Sequence, residues 1–435
     1  MTQWKKVKIG DVCKIVKGTT GIASAEPGEY PLVVTAEERK TCSSYQFDCE
    51  AVCIPLVSSS GHGKKSLNNV HYQSGKFALG TILCAVIPNN SDELDARFLH
   101  QYLQFYKDTV LVPLMKGAAN VSLSMKDIAT VEIPLPPIEK QRELSTLFVT
   151  LQENQKKLVA ETEKQFEYAK LLRQNILQDA IEGKLTEDWR KSHPVQKGNP
   201  DYDAEALFEK IQEEKRQCKN EKLQEPLYSE ELTIPSEWKY PSLFEITKQI
   251  TDGTHLTPNY VDNGEVFLSA QNIKPFRFIP EIHKYVSKTD FDMYRNNRTP
   301  EIKDILMARV GAGIGEAAVI DQPLQFAFYV SLCLVKTFNK YTNPDYLVCV
   351  LNSAYGTTYS KNNISSTGTS AGNYNLGHIR SLKIPLPPLA EQQEIVTKTE
   401  ILLNKITELE SQIAERENMA KQLMQSILKD AFGEG

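Results

Sequence analysis

The chain has 435 residues, of which 41% are hydrophobic and 24% are charged, and its formal net charge is −5 at pH 7. The length predicts two to four domains, each large enough for a core of its own. An acidic chain argues at first sight against a protein that binds nucleic acid. A membrane span is excluded, because no run of about 18 apolar residues occurs in the sequence.

The N-terminal residues and the cysteines both favour a cytoplasmic protein. The opening Met-Thr-Gln-Trp-Lys-Lys lacks the apolar stretch of a signal peptide. None of the eight cysteines belongs to a Cys-x-x-Cys pair, and a disulfide framework or a structural zinc site would need such close spacings. We therefore expect reduced thiols, no bound metal and a cytoplasmic location.

In chain order, the first segment is residues 1–132, where predicted strands alternate with turn signals. Residues 52–57 read as a strand that leads into the loop Ser-Ser-Ser-Gly-His-Gly at 58–63. A short helix is predicted at 96–106. These features predict a compact α+β domain.

Residues 133–190 are predicted to form a long helix after an extended entry. The entry is Ile-Pro-Leu-Pro-Pro at 133–137, where the prolines disfavour a helix. The run from about 139 to 182 contains neither Pro nor Gly, and its apolar residues recur at heptad-like spacing, which is typical of a coiled coil. At about 1.5 Å per residue, this helix would be about 66 Å long.

Residues 191–234 are polar and dense in charge, and we interpret them as a linker. A solvated helix is predicted between Asp203 and Lys222. The remainder is predicted to be a linker, for which no role beyond reach is required.

The rest of the chain repeats the first part. Ile-Pro-Leu-Pro-Pro recurs at 384–388, an offset of 251 residues, and this offset holds without a gap for about fifty residues. The segments ahead of the prolines correspond more loosely, since residues 32–36 align with 266–270 at an offset of 234. The second copy therefore consists of a variable segment, residues 235–383, and a second long helix within 384–435.

The two long helices are expected to pack on each other, because neither has another apolar partner nearby in the sequence. The predicted packing residues are Leu144, Phe148, Leu151, Leu158, Leu172 and Ile176 in the first helix, and Ile395, Leu402, Ile406, Leu409, Ile413, Leu423 and Ile427 in the second. Two matched helices joining two matched domains make a spacer with approximate two-fold symmetry. The alternative is that each helix only caps its own domain.

The charge is unevenly distributed over these segments. Residues 1–132 carry 14 basic and 13 acidic side chains, and residues 235–383 carry 15 and 13. Residues 133–234 carry 16 and 20, and residues 384–435 carry 5 and 9. The acidity thus belongs to the helices and linker, which leaves the variable segments free to present basic patches to DNA, although any one of these charges is also an ordinary surface charge. The basic candidates are Lys64, Lys65, Lys274, Arg277, Arg295, Arg298 and Arg309.

Catalytic motifs are matched only weakly. The Gly-x-Gly-x-Gly run at 311–315 precedes a predicted strand rather than a helix, which favours a tight hairpin over a nucleotide site. Asn-Pro-Asp-Tyr at 343–346 faintly resembles the Asn-Pro-Pro-Tyr loop of amino-methyltransferases. Asp292 with Glu301 and Lys303 has the residue types of a nuclease metal site at a poor spacing. We therefore predict no catalytic residue in this chain.

These features together resemble the DNA specificity subunits of Type I restriction-modification systems, over essentially the whole chain. The resemblance is carried by the paired Ile-Pro-Leu-Pro-Pro-x-x-x-Gln-x-Glu segments, by residues 176–190 and by Thr-Asp-Gly-Thr-His at 251–255. Asp-Ile-Leu at 304–306, ahead of the glycine loop, is also typical of the target-recognition domains of this family. The first variable segment departs from that pattern, as expected if it reads a different half-site.

The resemblance implies the fold class α+β, with two globular α+β target-recognition domains in tandem, each followed by a long α-helix. The two helices would pack as an antiparallel coiled coil with pseudo-two-fold symmetry. The target-recognition domains would be residues 1–132 and 235–383, the helical spacer regions 133–190 and 384–435, and the linker 191–234. Each domain would read one half of a bipartite DNA target, and the helices would set the half-site spacing.

The resemblance also implies the partners, which would be double-stranded DNA, two methylation subunits docked on this chain, and restriction subunits. S-adenosylmethionine, ATP and Mg are expected on the partner subunits, with no cofactor bound by this chain. Loop residues complete the DNA-contact candidates: His62, Thr254, His255, Gln271 and Asn272. The alternatives are a self-contained DNA methyltransferase or nuclease, and a coiled-coil scaffold that does not bind DNA.

Overall fold

The computed structural model describes residues 4–60, 63–218, 223–365 and 372–432. The chain forms two compact units, unit 1 from residues 1–163 with 414–435, and unit 2 from residues 164–413. The units do not follow the sequence order of the segments, because each of two long helices begins in one unit and ends in the other.

Unit 1 is built from short strands and four helices up to the first long helix. Its strands are β1 Lys6–Lys8, β2 Cys13–Lys17, β3 Tyr30–Val33, β4 Lys40–Cys42, β5 Phe47–Asp48, β6 Ala51–Pro55, β7 His71–Gln73, β8 Lys76–Leu79, β9 Leu83–Pro88 and β10 Glu132–Pro134. Its helices are α1 Ile9–Val12, α2 Ala96–Val110, α3 Met125–Ala129 and the long α4 Ile138–Ile181, with a 3-10 turn at Val112–Leu114.

Unit 2 contains the linker region, the second variable segment and the start of the second long helix. Its strands are β11 Thr247–Asp252, β12 Tyr260–Val261, β13 Glu265–Leu268, β14 Ile273–Lys274, β15 Arg277–Phe278, β16 Lys284–Val286, β17 Ile305–Ala308, β18 Ala317–Val319, β19 Ala327–Phe328, β20 Leu332–Thr337, β21 Ile364–Ser365 and β22 Asn373–Tyr374. Its helices are α5 Glu187–Ser192, α6 Ala204–Lys215, α7 Lys288–Arg295, α8 Pro344–Asn352, α9 Ala354–Asn362, α10 Leu376–Ser381 and the long α11 Leu389–Ala431, with 3-10 turns at Lys184–Thr186, Leu243–Ile246 and Ala270–Asn272.

The two units share one sheet plan. In unit 1 a four-stranded antiparallel sheet runs β2-β9-β6-β7, and in unit 2 its counterpart runs β11-β20-β17-β18. A second four-stranded sheet runs β4-β3-β8-β5 in unit 1 and β12-β16-β13-β19 in unit 2. Three strands correspond, β4-β3-β8 with β16-β13-β19, whereas the fourth strands, β5 and β12, lie at opposite edges. Each second sheet contains one parallel pair, β3 with β8 and β13 with β19. The fold is therefore a tandem of α+β domains, as the sequence predicted.

The strand pairing refines the alignment of the repeats. Leu32 lies opposite Ala78 in unit 1, and Phe267 lies opposite Ala327 in unit 2. Residue 32 thus corresponds to residue 267 rather than 266, an error of one position in the sequence alignment. Strands β2 and β11 give the same offset of 235 residues. Lys17 is opposite Cys84, Asp252 is opposite Cys333, and these two cysteines occupy equivalent positions in the two units.

A glycine follows β2 in unit 1 and β11 in unit 2 for a steric reason. A Cβ added to Gly18 would clash with the carbonyl oxygen of Gly80, and one added to Gly253 would clash with that of Phe328. The chain crosses the neighbouring strand so closely here that only glycine fits. The loops after these two glycines therefore start from the same place in each unit.

The region between the repeats is more ordered than the predicted linker. Helix α6 is capped by the Asp203 carboxylate, which accepts a hydrogen bond from the amide of Glu205. Leu207 and Ile211 of this helix are fully buried in the core of unit 2. The solvated helix predicted here is thus a packed one, because apolar residues four apart give even a charge-dense segment one buried face.

The long helices contact each other in both units, and the order of the contacts is antiparallel. In unit 1, Leu144 and Phe148 of α4 share a core cluster with Leu428 near the end of α11. In unit 2, Ile176 near the end of α4 packs with Ile406 in the first half of α11. Leu402 also packs there, and Ile395 is fully buried in the core of unit 2.

Three predicted packing residues are largely exposed, although Leu423 also lines the groove between the helices in unit 1. Leu172, Leu409 and Leu423 are 46%, 50% and 63% exposed. The seam in α4 instead follows residues 169, 173 and 176, so that its middle position is Arg173, next to Leu172. The physical reason is that positions facing the partner helix are spaced alternately by four and three residues. This spacing leads from residue 169 to Arg173 and then to residue 176, so the charged Arg173 faces the partner helix and the neighbouring Leu172 does not.

The remaining predicted packing residues are half-buried. Leu151, Leu158 and Ile427 line a groove of about 200 Å³ between the helices of unit 1, and Ile413 is of intermediate burial. Among the described residues, no helix combines the length and the apolar character that crossing a membrane requires.

Both long helices are joined to their domains by the same glutamine. Gln141 accepts a hydrogen bond from the amide of Asp95, the N-cap of α2, and Gln392 accepts one from the amide of Asn343, the N-cap of α8. Both glutamines are fully buried. The repeat of the sequence is thus a repeat of tertiary contacts.

Candidate nucleic-acid interface

The sequence candidates of unit 2 collect around the loop that follows β11, residues 252–256. The backbone of this loop crosses to β19, where the amide of Thr254 donates to the carbonyl of Phe328 at 3.0 Å and the carbonyl of Thr254 accepts from the amide of Val330. Thr254 is only 5% exposed. Its position fixes the path of the loop and does not leave its side chain open to a DNA base.

Arg309 holds this loop from inside the domain. Its Nη1 donates to Oδ2 of Asp252 at 2.6 Å, and its Nε donates to the carbonyl of Tyr374 at 2.9 Å. The residue is 4% exposed. The sequence suggested Arg309 as a base-contacting residue, but the structure turns it inward, because the carboxylate of Asp252 and two backbone carbonyls are its partners.

Arg298 holds the same loop from the side. Its Nη1 donates to the carbonyl of Gly253 at 2.7 Å and to that of Asp252 at 3.3 Å. Arg298 is half-buried. It therefore connects the 252–256 loop to the segment that follows α7.

His255 is the most exposed sequence candidate of this loop. Its side chain is 69% exposed, and its Nε2 lies 2.9 Å from Oδ2 of Asp252. Oδ2 of Asp252 thus contacts both the His255 ring and the Arg309 guanidinium. The loop presents an oriented imidazole at its surface.

The turn after α7 adds side chains that the sequence reasoning did not select. Arg295 is half-buried, with its guanidinium 4.9 Å from the ring centre of Phe291. Asn296 and Asn297 follow it, are exposed, and line an open cavity of about 490 Å³ together with Arg295. Asn297 has a φ of 60°, the left-handed conformation that asparagine tolerates better than most residues. The run Arg-Asn-Asn-Arg was the available signal, since asparagine pairs with adenine edges.

Asn272 is not free to contact DNA. Its Oδ1 accepts from the amide of Ser269, and its Nδ2 donates to the carbonyls of Ile279 and Ile282. It is fully buried. The exposed side chain of the pair is its neighbour Gln271. The side-chain amide of Asn272, which the residue type suggested as a contact for adenine, is fully hydrogen-bonded within a buried turn.

Lys274 and Arg277 lie on the hairpin β14–β15, away from His255 in their contacts. Lys274 is 3.6 Å from the carboxylate of Glu316. Arg277 is exposed and lines a cavity of about 790 Å³ whose other walls come from α4, α8 and α11. These basic residues therefore make their contacts outside the 252–256 loop, as a basic pair of their own.

In unit 1 the predicted loop presents its lysines on a web of serines. The Ser58 hydroxyl donates to the carbonyl of Lys64 at 2.6 Å, and the hydroxyls of Ser60 and Ser66 lie 2.7 Å apart. Lys64 and Lys65 are exposed. His62 lies outside the described residues. The web fixes the backbone of the loop and leaves both ammonium groups in solvent.

A second polar cluster in unit 1 escaped the sequence reasoning. The Arg39 guanidinium contacts Nδ1 of His71 at 3.1 Å and donates to Oε1 of Gln73 at 3.2 Å. Burial lowers the pKa of His71 to about 4, and the positive charge of Arg39 acts in the same direction. Burial also lowers the pKa of Arg39. Arg39 thus ties the segment after β3 to β7.

The residues considered for catalysis do not converge. Glu301 and Asp304 both accept from Lys336, at 2.8 and 2.7 Å, whereas Asp292 lies 3.2 Å from Lys288. The Lys336 hydrogen bond lowers the pKa of Glu301, and burial raises the pKa of Asp304. Within the described part of the chain, no group of three or more His, Cys, Asp or Glu side chains is placed to hold a metal ion.

The Asn-Pro-Asp-Tyr run has a structural role in each of its polar side chains. Asn343 caps α8 by accepting from the amide of Asp345 at 2.9 Å, and Asp345 pairs with Lys303 at 3.2 Å. Tyr346 is fully buried, and its hydroxyl donates to the carbonyl of Pro385 at 2.6 Å. The segment therefore forms a helix start.

Comparison with known proteins agrees with this architecture. The family model of the Type I restriction modification DNA specificity domain matches residues 1–167 and 235–416. The chain is 23% identical to the Type I restriction enzyme EcoDI specificity subunit of Escherichia coli, over 99% of this chain and 88% of that one. It is 22% identical to the EcoBI specificity subunit of Escherichia coli, over 78% of this chain and 66% of that one.

Two solved structures share the fold. One comes from work on complex assembly and conformational transition of the type I R-M system, with a TM-score of 0.62 at 16% identity, covering 100% of this chain and 99% of that one. The other is the HsdS subunit from Thermoanaerobacter tengcongensis, with a TM-score of 0.54 at 17% identity, covering 100% and 98%. The chain belongs to the Type I restriction-modification DNA specificity family and is a DNA sequence-recognition subunit, not a catalytic one.

Proposed function

We propose that unit 1 and unit 2 each read one half of a bipartite DNA target. The observation that carries this proposal is the shared sheet plan with unlike loops on it. Unit 1 presents Lys64 and Lys65 on a serine web, and unit 2 presents His255 and Asn296 beside Arg298. Two copies of one frame with different surface chemistry suit two different half-sites, because base edges differ in their donors and acceptors.

We further propose that α4 and α11 act as the ruler between the half-sites. The two helices have 44 and 43 residues, about 66 Å at 1.5 Å per residue. Half-sites one helical turn apart are about 34 Å centre to centre. The helices are thus long enough to separate two recognition domains by such a distance.

The methylation subunits are proposed to dock on these helices. Exposed apolar residues along both helices support this role, since large apolar side chains left in solvent are typical of a surface that a partner covers. They are Leu147, Val149, Met419 and Leu423 in unit 1, and Phe166, Tyr168, Leu171, Leu172, Ile401 and Leu409 in unit 2.

The chemistry is proposed to reside on the partners, in the cytoplasm where the cellular DNA lies. The methylation subunits would bring S-adenosylmethionine, and restriction subunits would bring ATP and Mg. In this assignment the chain supplies recognition and geometry. Phosphate contacts would supply much of the affinity, and base contacts would supply the choice of sequence.

Selection from random duplexes tests the proposal. The chain, reconstituted with the methylation subunits of its own system, is titrated against a randomised duplex library and the bound fraction is sequenced. We expect two short conserved blocks separated by a gap of fixed length and free sequence. A single contiguous block, or no sequence preference at all, would refute bipartite reading.

Shortening the helices tests the ruler. One heptad is removed from each, residues 152–158 and 417–423, which shortens the pair by about 10.5 Å. Since one turn of DNA is about 34 Å for about 10 base pairs, the gap between the selected blocks should shrink by about three base pairs with both blocks unchanged. An unaltered gap would contradict the ruler role.

A further inference from the structure

The hydrogen bond between His255 and Asp252 fixes which ring nitrogen carries a proton. Nε2 of His255 lies 2.9 Å from Oδ2 of Asp252. An ionised carboxylate only accepts hydrogen bonds, so the proton of this contact belongs to Nε2. The partner of one ring nitrogen sets the state of the other, and in the neutral ring this leaves Nδ1 with its lone pair free to accept.

The charge of Asp252 is already balanced from inside the domain. The same Oδ2 accepts from Nη1 of Arg309 at 2.6 Å, and Arg309 is buried. The nearby Arg298 adds a second guanidinium on the backbone of Asp252 and Gly253. Asp252 therefore has a cationic partner in Arg309, and the arginine pair orients the loop that carries the ring.

A neutral imidazole with its proton on Nε2 distinguishes the groups at base edges. In the major groove the amino groups of adenine N6 and cytosine N4 donate, whereas guanine N7 and O6 accept. The side chain of His255 is 69% exposed on the loop surface. We infer that His255, oriented through Asp252 by the buried Arg309, is a specificity-determining residue that accepts a hydrogen bond from the exocyclic amino group of an adenine or a cytosine.

This contact belongs to one half-site only. The equivalent of Thr254 in unit 1 is Thr20, which makes the same parallel bridge to the neighbouring strand, and the next residue is Gly21 rather than histidine. The position of Asp252 is occupied by Lys17. The inference rests on the proposed reading of DNA by unit 2, and it predicts an amino-group contact without a counterpart in unit 1.

Base analogues test the contact atom by atom. The reconstituted complex first selects its target from random duplexes. Each adenine of that target is then replaced in turn by purine, which lacks the 6-amino group, and each cytosine by the analogue that lacks the 4-amino group. At one position of a single half-site we expect binding to weaken about 2- to 15-fold, the range for one hydrogen bond. His255→Ala should bind the natural and the analogue duplex equally at that position.

The controls separate this contact from other roles of the histidine. His255→Asn, which places an amide oxygen near the position of Nδ1, should retain part of the discrimination. His283→Ala is a matched control, because Nδ1 of His283 is already engaged by the carbonyl of Pro280 at 2.6 Å. It should discriminate like the unaltered complex. Thermal unfolding of each variant complex checks that the domain is folded.

The outcomes distinguish the inference from the proposed function. An equal loss on the analogue for His255→Ala and for the unaltered complex would overturn the inference. So would a loss of binding on replacing N7 by carbon that His255→Ala abolishes, because a ring that donates would then be reading an acceptor. A complex that selects no bipartite target at all would instead refute the proposed function.

Discussion

Units 1 and 2 use one frame and anchor the loop that follows β2 or β11 in different ways. In unit 2 the loop after the first strand is tied to a buried ion pair, Arg309 with Asp252. In unit 1 the corresponding positions are Leu56 and Lys17, so that no such pair is formed there. Gln46 holds the unit 1 loop instead, accepting from the amide of Thr19 and donating to the carbonyl of Lys17. The same strand arrangement thus occurs with two different sets of side-chain contacts on this loop.

The same contrast recurs where the long helices meet. In unit 2, Arg173 donates to Glu410 at 2.8 Å. By the offset of 251 residues, their counterparts in unit 1 are Met424 and Val159, which line the apolar groove between the helices. A charged contact in one unit is an apolar contact in the other. The two units therefore share the backbone arrangement at this contact, while the pair of side chains that makes the contact differs between them.

The largest expected effect comes from breaking the buried anchor of unit 2. Arg309→Leu copies the residue of unit 1 and leaves the carboxylate of Asp252, 15% exposed, without the guanidinium of Arg309. Removing one member of a buried pair costs about 3 to 5 kcal/mol. We expect the free energy of unfolding of unit 2 to fall by this amount in denaturant titrations.

The paired variant decides whether the anchor is exchangeable. Arg309→Leu combined with Asp252→Leu removes both charges, and it should recover most of the lost stability, since an apolar replacement of a buried pair is often neutral. If the double variant is as unstable as the single one, the two units differ by more than their anchors.

A somewhat smaller effect is expected from acid on unit 1. The pKa of His71 is about 4 in the folded protein, below the unfolded value of about 6.5. Between these values the unfolded chain binds a proton that the folded chain does not, so acidification from pH 6.5 to pH 4 favours unfolding by up to about 3 kcal/mol. Thermal unfolding across this pH range measures it.

His71→Gln is the matched variant for this measurement. It keeps an acceptor for Arg39, whose guanidinium faces Nδ1 of His71, and it removes the titrating group. The pH dependence of unit 1 in this window should become shallower. An unchanged slope would assign the acid sensitivity to other groups.

The smallest effect is expected at the contact between the helices in unit 2. Arg173 and Glu410 are each 29% exposed in their side chains, and pairs of this kind contribute about 0.2 to 1 kcal/mol. Arg173→Met with Glu410→Val copies unit 1 and should change the free energy of unfolding by less than about 1 kcal/mol. A loss of several kcal/mol would show that the two helix contacts are not equivalent.

The sequence was sufficient for the plan of the molecule. Apolar periodicity without Pro or Gly predicts α4 and α11 almost to the residue, and the recurrence of Ile-Pro-Leu-Pro-Pro predicts the tandem. It was less informative about neighbours in the seam, because Leu172 and Arg173 differ by one position and only the partner helix selects between them.

The site was harder to predict, for a physical reason. Arg309 and Asn272 have the side chains that read bases, and the structure engages both inside the domain. Whether a polar side chain faces solvent or a backbone carbonyl depends on strands far away in sequence, such as β22 for Arg309. Residue type alone carries no information on this. Of the candidate run 295–298, the sequence selected only Arg295 and Arg298 and not the exposed Asn296 and Asn297 between them.

Each long helix begins in one unit and ends in the other, which has a consequence for synthesis of the protein. Ile181, near the end of α4, is fully buried in the core of unit 2, whereas Phe432, just after α11, packs on the aromatic rings of Phe98 and Tyr102 in unit 1. A ribosome makes residues 1–163 first, yet the core of unit 1 lacks Phe432 until residues 164–413 have emerged. Unit 1 is therefore begun first and completed last, and the aromatic rings of α2 lack their Phe432 contact during the interval.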